Sequence, residues 1–223
     1  TPLAVLQVNL HNAQQRWREA GLADPDQIMP ALQDGVSRMS ALIEQIMLLN
    51  RTNPAHFSAK LQKLDLAVLC RDVVAELYPQ ILGKQQQISM EATDNLMLAA
   101  DPFALRVLLL NIVGNAQQVL TEGGQITLQT RILNQHTIHG RRHRLVAAVK
   151  VIDNGPGIPA EIKDTLFFPM VTGKPGGTGL GLSIAQTLIH QHGGWIDCES
   201  WPGQTAFTLY LPLNNSGEEE CSK

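Results

Sequence analysis

Apolar residues in the first fifty positions recur in steps of three and four, and past residue 63 that rhythm gives way to alternating helical and strand-like periods. A chain patterned this way cannot close on one uniform layer. Its first stretch needs a helical partner, and its second needs a sheet with helices packed against it. Leu3, Leu6, Leu10, Ala13 and Trp17 form one helical seam, and Leu32, Val36, Met39, Ile43 and Ile46 form another that ends near Asn50. Between them the pattern breaks over residues 21–26, where Asp24-Pro25 reads as an N-cap with Pro in the first turn. The two seams predict an αα-hairpin. Both leave apolar surface over, so a dimeric four-helix bundle is the expected completion. The alternative is a helical subdomain docked on the rest of the same chain.

Residues 51–63 are polar, with Pro54 and Ser58, and read as a linker. Mixed α and β character follows. Asp65 can cap a helix running to about Leu82, with Leu69, Val73 and Leu77 on one face. Residues 87–92 and 96–99 are short strand candidates. Asp101-Pro102 opens a strongly apolar helix through Leu120, closed by Gly123-Gly124. Strands are expected over 125–133 and 145–152, with 134–144 as a long hairpin tip between them. A glycine-rich section over 153–181 leads into a helix ending near His192, and strands over 195–199 and 206–211 complete the pattern. The expected plan is α+β: a helical hairpin over 1–52, a linker over 53–63, an α/β domain over 64–213 and a frayed tail over 214–223.

Composition narrows the class. At 223 residues with 44% hydrophobic and 17% charged side chains, the chain carries enough apolar mass for a packed core, which excludes wholesale disorder. A net charge of −3 argues against a generally basic nucleic-acid binder. No apolar run reaches the roughly 18 residues of a membrane span, and no signal peptide opens the sequence. Cys70, Cys198 and Cys221 lie far apart without CxxC spacing, so they read as ordinary thiols of a reducing compartment and not as a disulfide frame or zinc site. The first residue is Thr1 and not Met, so the chain is expected to be a piece of something longer. His136, His139 and His143 with Arg141, Arg142 and Arg144 suit a solvated tip or a protein contact surface better than a metal or nucleic-acid site. His190 and His192 suit a helix C-terminus, and Trp195 and Trp201 read as core or sheet-face residues.

Three separated pieces carry chemistry. Asn111 and Asn115 stand one turn apart on one face of an apolar helix, where asparagine is costly to bury unpaired. They mark either a polar cleft whose amide oxygen could bind a hard cation such as Mg²⁺, or side chains that merely bond neighbouring backbone. Asp153-Asn154-Gly155-Pro156-Gly157 follows a buried strand, so its carboxylate can accept from an exocyclic amine while glycine backbone approaches a planar ring. Gly177-Thr178-Gly179-Leu180-Gly181-Leu182 opens a helix, where unpaired N–H groups and the helix dipole favour phosphate. The stretch lacks the preceding strand of a dinucleotide fingerprint and the Lys-Ser/Thr of a Walker loop.

In order and spacing these pieces resemble the N, G1 and G2 boxes of the GHKL ATPase superfamily, as found in sensor histidine kinases. Leu166-Phe167-Phe168-Pro169-Met170 stands for the F box, and Thr205 after Gly203 fits the last glycine-threonine element. The likeness covers roughly residues 60–212 and is greatest to the nitrogen-regulation, NtrB-type kinases. The hairpin, opening Thr1-Pro2-Leu3-Ala4, is instead similar to the end of the H-box of PmrB- and QseC-type membrane sensors, as a chimera would be. The resemblance implies a GHKL α/β sandwich binding ATP and Mg²⁺. Asn115 would ligate the metal, Asp153 would bind the adenine amino group, and Gly155 and Gly157 would line the base pocket. Gly177, Thr178, Gly179, Leu180 and Gly181 would shape the phosphate site under a lid over 159–176 that includes Phe167.

Asn111 replaces the glutamate general base of the hydrolysing members and cannot take a proton from water. Gln118 stands where many sensor kinases place a phosphate-binding lysine, so that task shifts to Lys174 in the lid. Thr1 matches a threonine tied to phosphatase activity toward the partner regulator. The phosphoacceptor histidine would precede Thr1, so residues 1–223 are expected to bind ATP without labelling themselves. The implied protein is a dimeric phosphotransferase of a two-component system, a phosphoprotein acting on a response regulator aspartate, cytoplasmic or the cytoplasmic part of an inner-membrane sensor. Two rivals remain: a nucleotide-responsive binding module with little chemistry of its own, and a GHKL chaperone- or topoisomerase-like ATPase.

Overall fold

The computed structural model describes residues 61–93, 95–174 and 178–213. The chain divides into two units, Thr1–Asn53 and Pro54–Lys223, and every described residue belongs to the second. The expected helical hairpin and the tail, together with Thr1 and Gly177, lie outside the described residues.

The longest strands among the described residues form a β-hairpin, β4 (Gln125–Ile138) with β5 (Arg141–Asp153). The sequence leaves 134–144 as an open tip, and here the structure differs. Pairing continues through His136↔His143, Thr137↔Arg142 and Ile138↔Arg141 to a two-residue turn at His139 and Gly140. Both turn residues have positive φ, 50° and 76°. That is the twist-matched hairpin geometry, normally signalled by Asn-Gly. With histidine in the first turn position and Arg141, Arg142, His143 and Arg144 opening β5, no apolar period betrayed the ladder, which needs only backbone groups.

Among the described residues five strands make the main sheet in the order β2-β4-β5-β7-β6, with β2 (Gln87–Glu91), β6 (Trp195–Trp201) and β7 (Gln204–Pro212). Only β2 and β4 run parallel; the other neighbours are antiparallel. Ile126, Leu128, Val149, Val151, Phe207, Leu209 and Ile196 are buried, and three helices complete the second layer. These are α1 (Leu66–Gly83), α2 (Pro102–Val119) and α4 (Gly181–Gln191); a single turn, α3 (Ala160–Lys163), precedes the last. Each fully buried aliphatic side chain adds about 1.5–3 kcal/mol of transfer free energy.

Helix starts follow the sequence closely. Asp65 accepts from Ala67 N at 2.9 Å and Asp101 accepts from Phe103 N at 3.0 Å and Ala104 N at 3.2 Å, with Pro102 in the first turn. The buried face of α1 is turned slightly from expectation, onto Cys70 in place of half-buried Leu69. Gln62 and Lys63, read as linker, belong to β1 (Gln62–Asp65), which pairs antiparallel with β3 (Met97–Ala100). Trp195 and Trp201 are exposed on the edge strand and not in the core. Burial pushes the Cys70 and Cys198 thiols up to about 12, which makes them poor nucleophiles. Among the described residues no helix is long and apolar enough to cross a membrane.

Candidate functional site

Helix α2 buries Leu105, Leu108, Leu109, Ile112, Val113 and Ala116, which leaves Asn111 and Asn115 half-buried at the edge of its packed face. Their surroundings separate them. Asn111 Nδ2 donates to Val107 O at 2.9 Å, a local bond along its own helix. Its Oδ1 faces α4: a Cβ on Gly181 would lie 2.7 Å from that oxygen and 3.9 Å from Asn115 Nδ2. Glycine at 181 therefore lets the first turn of α4 close on both asparagines. Asn115 instead points its oxygen at a cation. Lys174 Nζ donates to Asn115 Oδ1 at 3.0 Å, to Asn115 O at 3.3 Å and to Gln118 Oε1 at 3.2 Å. Burial pulls the Lys174 ammonium down to about 8, with Asp153 opposing the shift and Lys84 adding to it.

Asp153 ends β5 on the core-facing side of the sheet. Residues directly opposite one another on neighbouring strands share a face. The register Ile126↔Asp153, Asp153↔Thr205 and Ser200↔Thr205 therefore lines up one row across four strands. Asp153 is only 3% exposed, and burial raises its carboxyl above the usual range. The Gly155 N–H, donating to Oδ1 at 2.9 Å, and the charge of Lys174 pull the other way. Oδ2 takes no protein hydrogen bond among the described residues. A Cβ on Gly155 would sit 2.6 Å from Oδ1, so this glycine is required for the carboxylate to stay where it is.

The loop after Asp153 is fixed from the other side. Thr205 Oγ1 and Ser200 Oγ lie 2.9 Å apart, Ser200 accepts from Ile158 N at 2.8 Å, and Gly203 N donates to Gly155 O at 3.0 Å. Gly157 has φ +84°, and a Cβ there would lie 2.7 Å from Trp201 O. The lid anchors through buried Leu166, with Phe167 half-buried and Phe168 and Met170 exposed. It turns back at Met170 (φ 66°), whose N–H donates to Gly179 O at 3.0 Å. A Cβ on Gly179 would lie 2.5 Å from the Met170 carbonyl carbon, so this crossing too depends on glycine. Thr178 Oγ1 accepts from Leu180 N at 3.3 Å, and α4 begins at Gly181 without a side-chain cap.

Asn111, Asn115, Lys174 and Gly181 thus meet in one place, and the charge of Lys174 joins them to Asp153, Gly155, Gly157 and Thr205. Thr178, Gly179 and Leu180 lie on the approach to α4. Phe167 stays on the lid. Gln118, expected only as the replacement of a lysine, supplies a third oxygen to Lys174. Three contributors escaped the sequence reading. Ser200 secures the loop. Gln86 Nε2, donating to Gln117 O at 3.0 Å and Leu120 O at 2.7 Å, and Lys84 Nζ, donating to Gln117 O at 3.3 Å, satisfy carbonyls at the end of α2. Their partners lie 31 to 34 positions away, beyond any local signal.

Chemically, the cleft offers an amide oxygen and an ammonium near an uncapped helix start, and a buried carboxylate with one oxygen unbonded by protein. That set suits a ligand anionic at one end and bearing an N–H donor at the other.

Residues 100–215 match the family described as "Histidine kinase-, DNA gyrase B-, and HSP90-like ATPase". The chain is 51% identical over 148 residues to the sensory histidine kinase/phosphatase NtrB of Vibrio alginolyticus, which covers 60% of this chain and 42% of that protein. The chain therefore spans about two fifths of the length of that relative. The catalytic domain of histidine kinase ThkA superposes with a TM-score of 0.61 at 29% identity, over 69% of this chain and 96% of that one. Histidine kinase ThkA in complex with the response regulator protein TrrA gives 0.64 at 22% identity, over 92% and 57%.

Proposed function

The chain belongs to the histidine kinase-, DNA gyrase B- and HSP90-like ATPase family, and from that premise we propose that residues 64–213 are the ATP-binding catalytic domain of a sensor histidine kinase. The single observation that supports this most is the convergence of Asp153, Asn115 and Lys174 on one cleft beside the start of α4. Asp153 would accept from the adenine amino group through the oxygen left over by Gly155. The α4 N–H groups and Lys174 would face the phosphates.

Asn115 Oδ1 already accepts from a cation, the Lys174 ammonium, so its oxygen is turned toward the cleft and the hard donor fits Mg²⁺. Bound there, the ion would neutralise phosphate charge. Asn111 spends its amide on Val107 O and has no proton-accepting function, so nothing among these side chains readies a water for attack. The γ-phosphoryl group would pass to an imidazole nitrogen, the N–P bond forming as the bond to the bridging oxygen breaks and ADP leaves. From there it would go to an aspartate of a response regulator. The residues position and neutralise charge more than they react.

The helical stretch over 1–52 would form the homodimer interface, with 53–63 as linker and Thr1 acting in regulator dephosphorylation. The whole would lie in the cytoplasm. The test is a chain extended upstream through the H-box, incubated with γ-labelled ATP and a receiver domain. Acid-labile, base-stable label that moves to the receiver is expected. Nucleotide binding without transfer would favour the non-catalytic module, and steady hydrolysis by the isolated domain would favour a GHKL ATPase.

A further inference from the structure

The environment of Lys174 carries a consequence beyond phosphate clamping. Its three N–H bonds meet three oxygens: Asn115 Oδ1 at 3.0 Å, Gln118 Oε1 at 3.2 Å and Asn115 O at 3.3 Å. All three are neutral amide oxygens, and among the described residues Lys174 forms no ion pair. A lysine held this way occupies a cage of hard oxygen donors, the ligand type that divalent cations of the Mg²⁺ class prefer. One of those donors is the Asn115 Oδ1 through which the metal would be held.

Resting on the reading of this cleft as a Mg²⁺–nucleotide site, we infer that the Lys174 ammonium is a built-in stand-in for the divalent ion, competing with it for Asn115 Oδ1. Two cations in contact with one amide oxygen repel each other, and a half-buried cleft screens that repulsion less than bulk water does. Binding of the metal-loaded nucleotide therefore expels the ammonium from the cage. A neutral cage holds a lysine more weakly than a polyphosphate does, so the expelled group has a better partner waiting. Nucleotide without metal meets a site that already carries one positive charge at the metal position. Lys174 and Mg²⁺ should accordingly be antagonistic: each matters most when the other is missing. Gln118 belongs to this device. It takes the place of a lysine that would crowd Lys174 with like charge, and it supplies an oxygen instead.

The test is a calorimetric cycle on the 223-residue chain, using ADP as probe so that no γ-phosphate contact intrudes. Wild type and Lys174→Met are each titrated with excess Mg²⁺ and with a chelator. Competition predicts that Lys174→Met loses about tenfold more affinity in chelator than in Mg²⁺, the size of one charge-assisted contact. Equal losses under both conditions would mean that lysine and metal act on separate atoms, and would overturn the inference. So would a larger loss in Mg²⁺. Wild type that binds ADP under neither condition would instead sink the nucleotide-site reading, a failure seen without any variant. The Asn115 side-chain amide gives a second measurement: its NMR signal should move on Lys174→Met before any nucleotide is added. A stationary signal in a variant of unchanged melting temperature also overturns the proposal.

Discussion

Asp153 is held in the cleft against the preference of its own charge. Burial raises its carboxyl, so the folded state binds that proton more tightly than the unfolded chain does. The folded state therefore bears a penalty that appears as pH rises past the unfolded carboxylate range, near 4, and is complete above the folded value. Asp153→Asn should consequently melt at a higher temperature than wild type at neutral pH, with the difference shrinking toward zero in acid. Asn can keep the Gly155 N–H bond while losing the charge-assisted acceptor for an amine. Nucleotide affinity should fall by at least about tenfold, within the range for a hydrogen bond to a charged group. Melting curves across pH and calorimetry on one sample check both halves. A variant that binds undiminished would remove Asp153 from the site. Gly155→Ala makes the complementary case: its Cβ would sit 2.6 Å from Asp153 Oδ1, so it should lose affinity with the carboxylate still present.

Helix α2 is the element on which the cleft depends, since it carries Asn111, Asn115 and Gln118 over about two turns. Its two ends are secured differently. At the N-terminus Asp101 accepts two helix N–H groups, and its own N–H donates to His192 Nε2 at 3.1 Å. His192 Nδ1 lies 2.8 Å from Leu188 O, so the ring is the Nδ1–H tautomer and ties α4 to the start of α2. Asp101→Ala should cost about 1 kcal/mol in urea denaturation, the usual loss of a helix cap. The C-terminal end instead draws on Gln86 and Lys84 from the loop after α1. The capping aspartate and following proline are readable in the sequence, because both act within four residues. Gln86 was not readable. Its amide serves a helix more than thirty positions away, and only the packing of α1 beside α2 brings them together.

At the scale of the whole molecule, the hairpin end gathers a second cluster of imidazole and aromatic rings. His136 stacks on Tyr210 at 4.6 Å, while His139 meets Trp195 edge-on at 4.7 Å and His190 at 5.2 Å. Burial lowers His190, with His139 adding to the shift; burial also lowers His143, helped by Arg141 and His136. Groups depressed in the folded state contribute stability above their unfolded value, near 6.5, and lose it as pH falls through the folded one. Acidification below about pH 6.5 should therefore loosen the tip of β4 and β5 first. Amide protection factors, which correct for the slower intrinsic exchange in acid, should fall at residues 136–143 while the Asp153 end of the same strands stays protected. Uniform exchange along the hairpin would contradict this.

The sequence alone determined what works at short range: the capped starts of α1 and α2, the glycine-opened α4 and the alternating strands. It also ordered the pieces that the family comparison joins. Tertiary structure decided the rest. It carried the hairpin ladder to His139-Gly140, where polar side chains hide pairing that backbone amides alone sustain. It set Thr205 and Ser200 in one row with Asp153, because strand register is fixed only when the sheet closes. And it delivered Lys174 onto Asn115, 59 positions away, since where a long flexible cation comes to rest depends on which oxygens folding leaves within its reach.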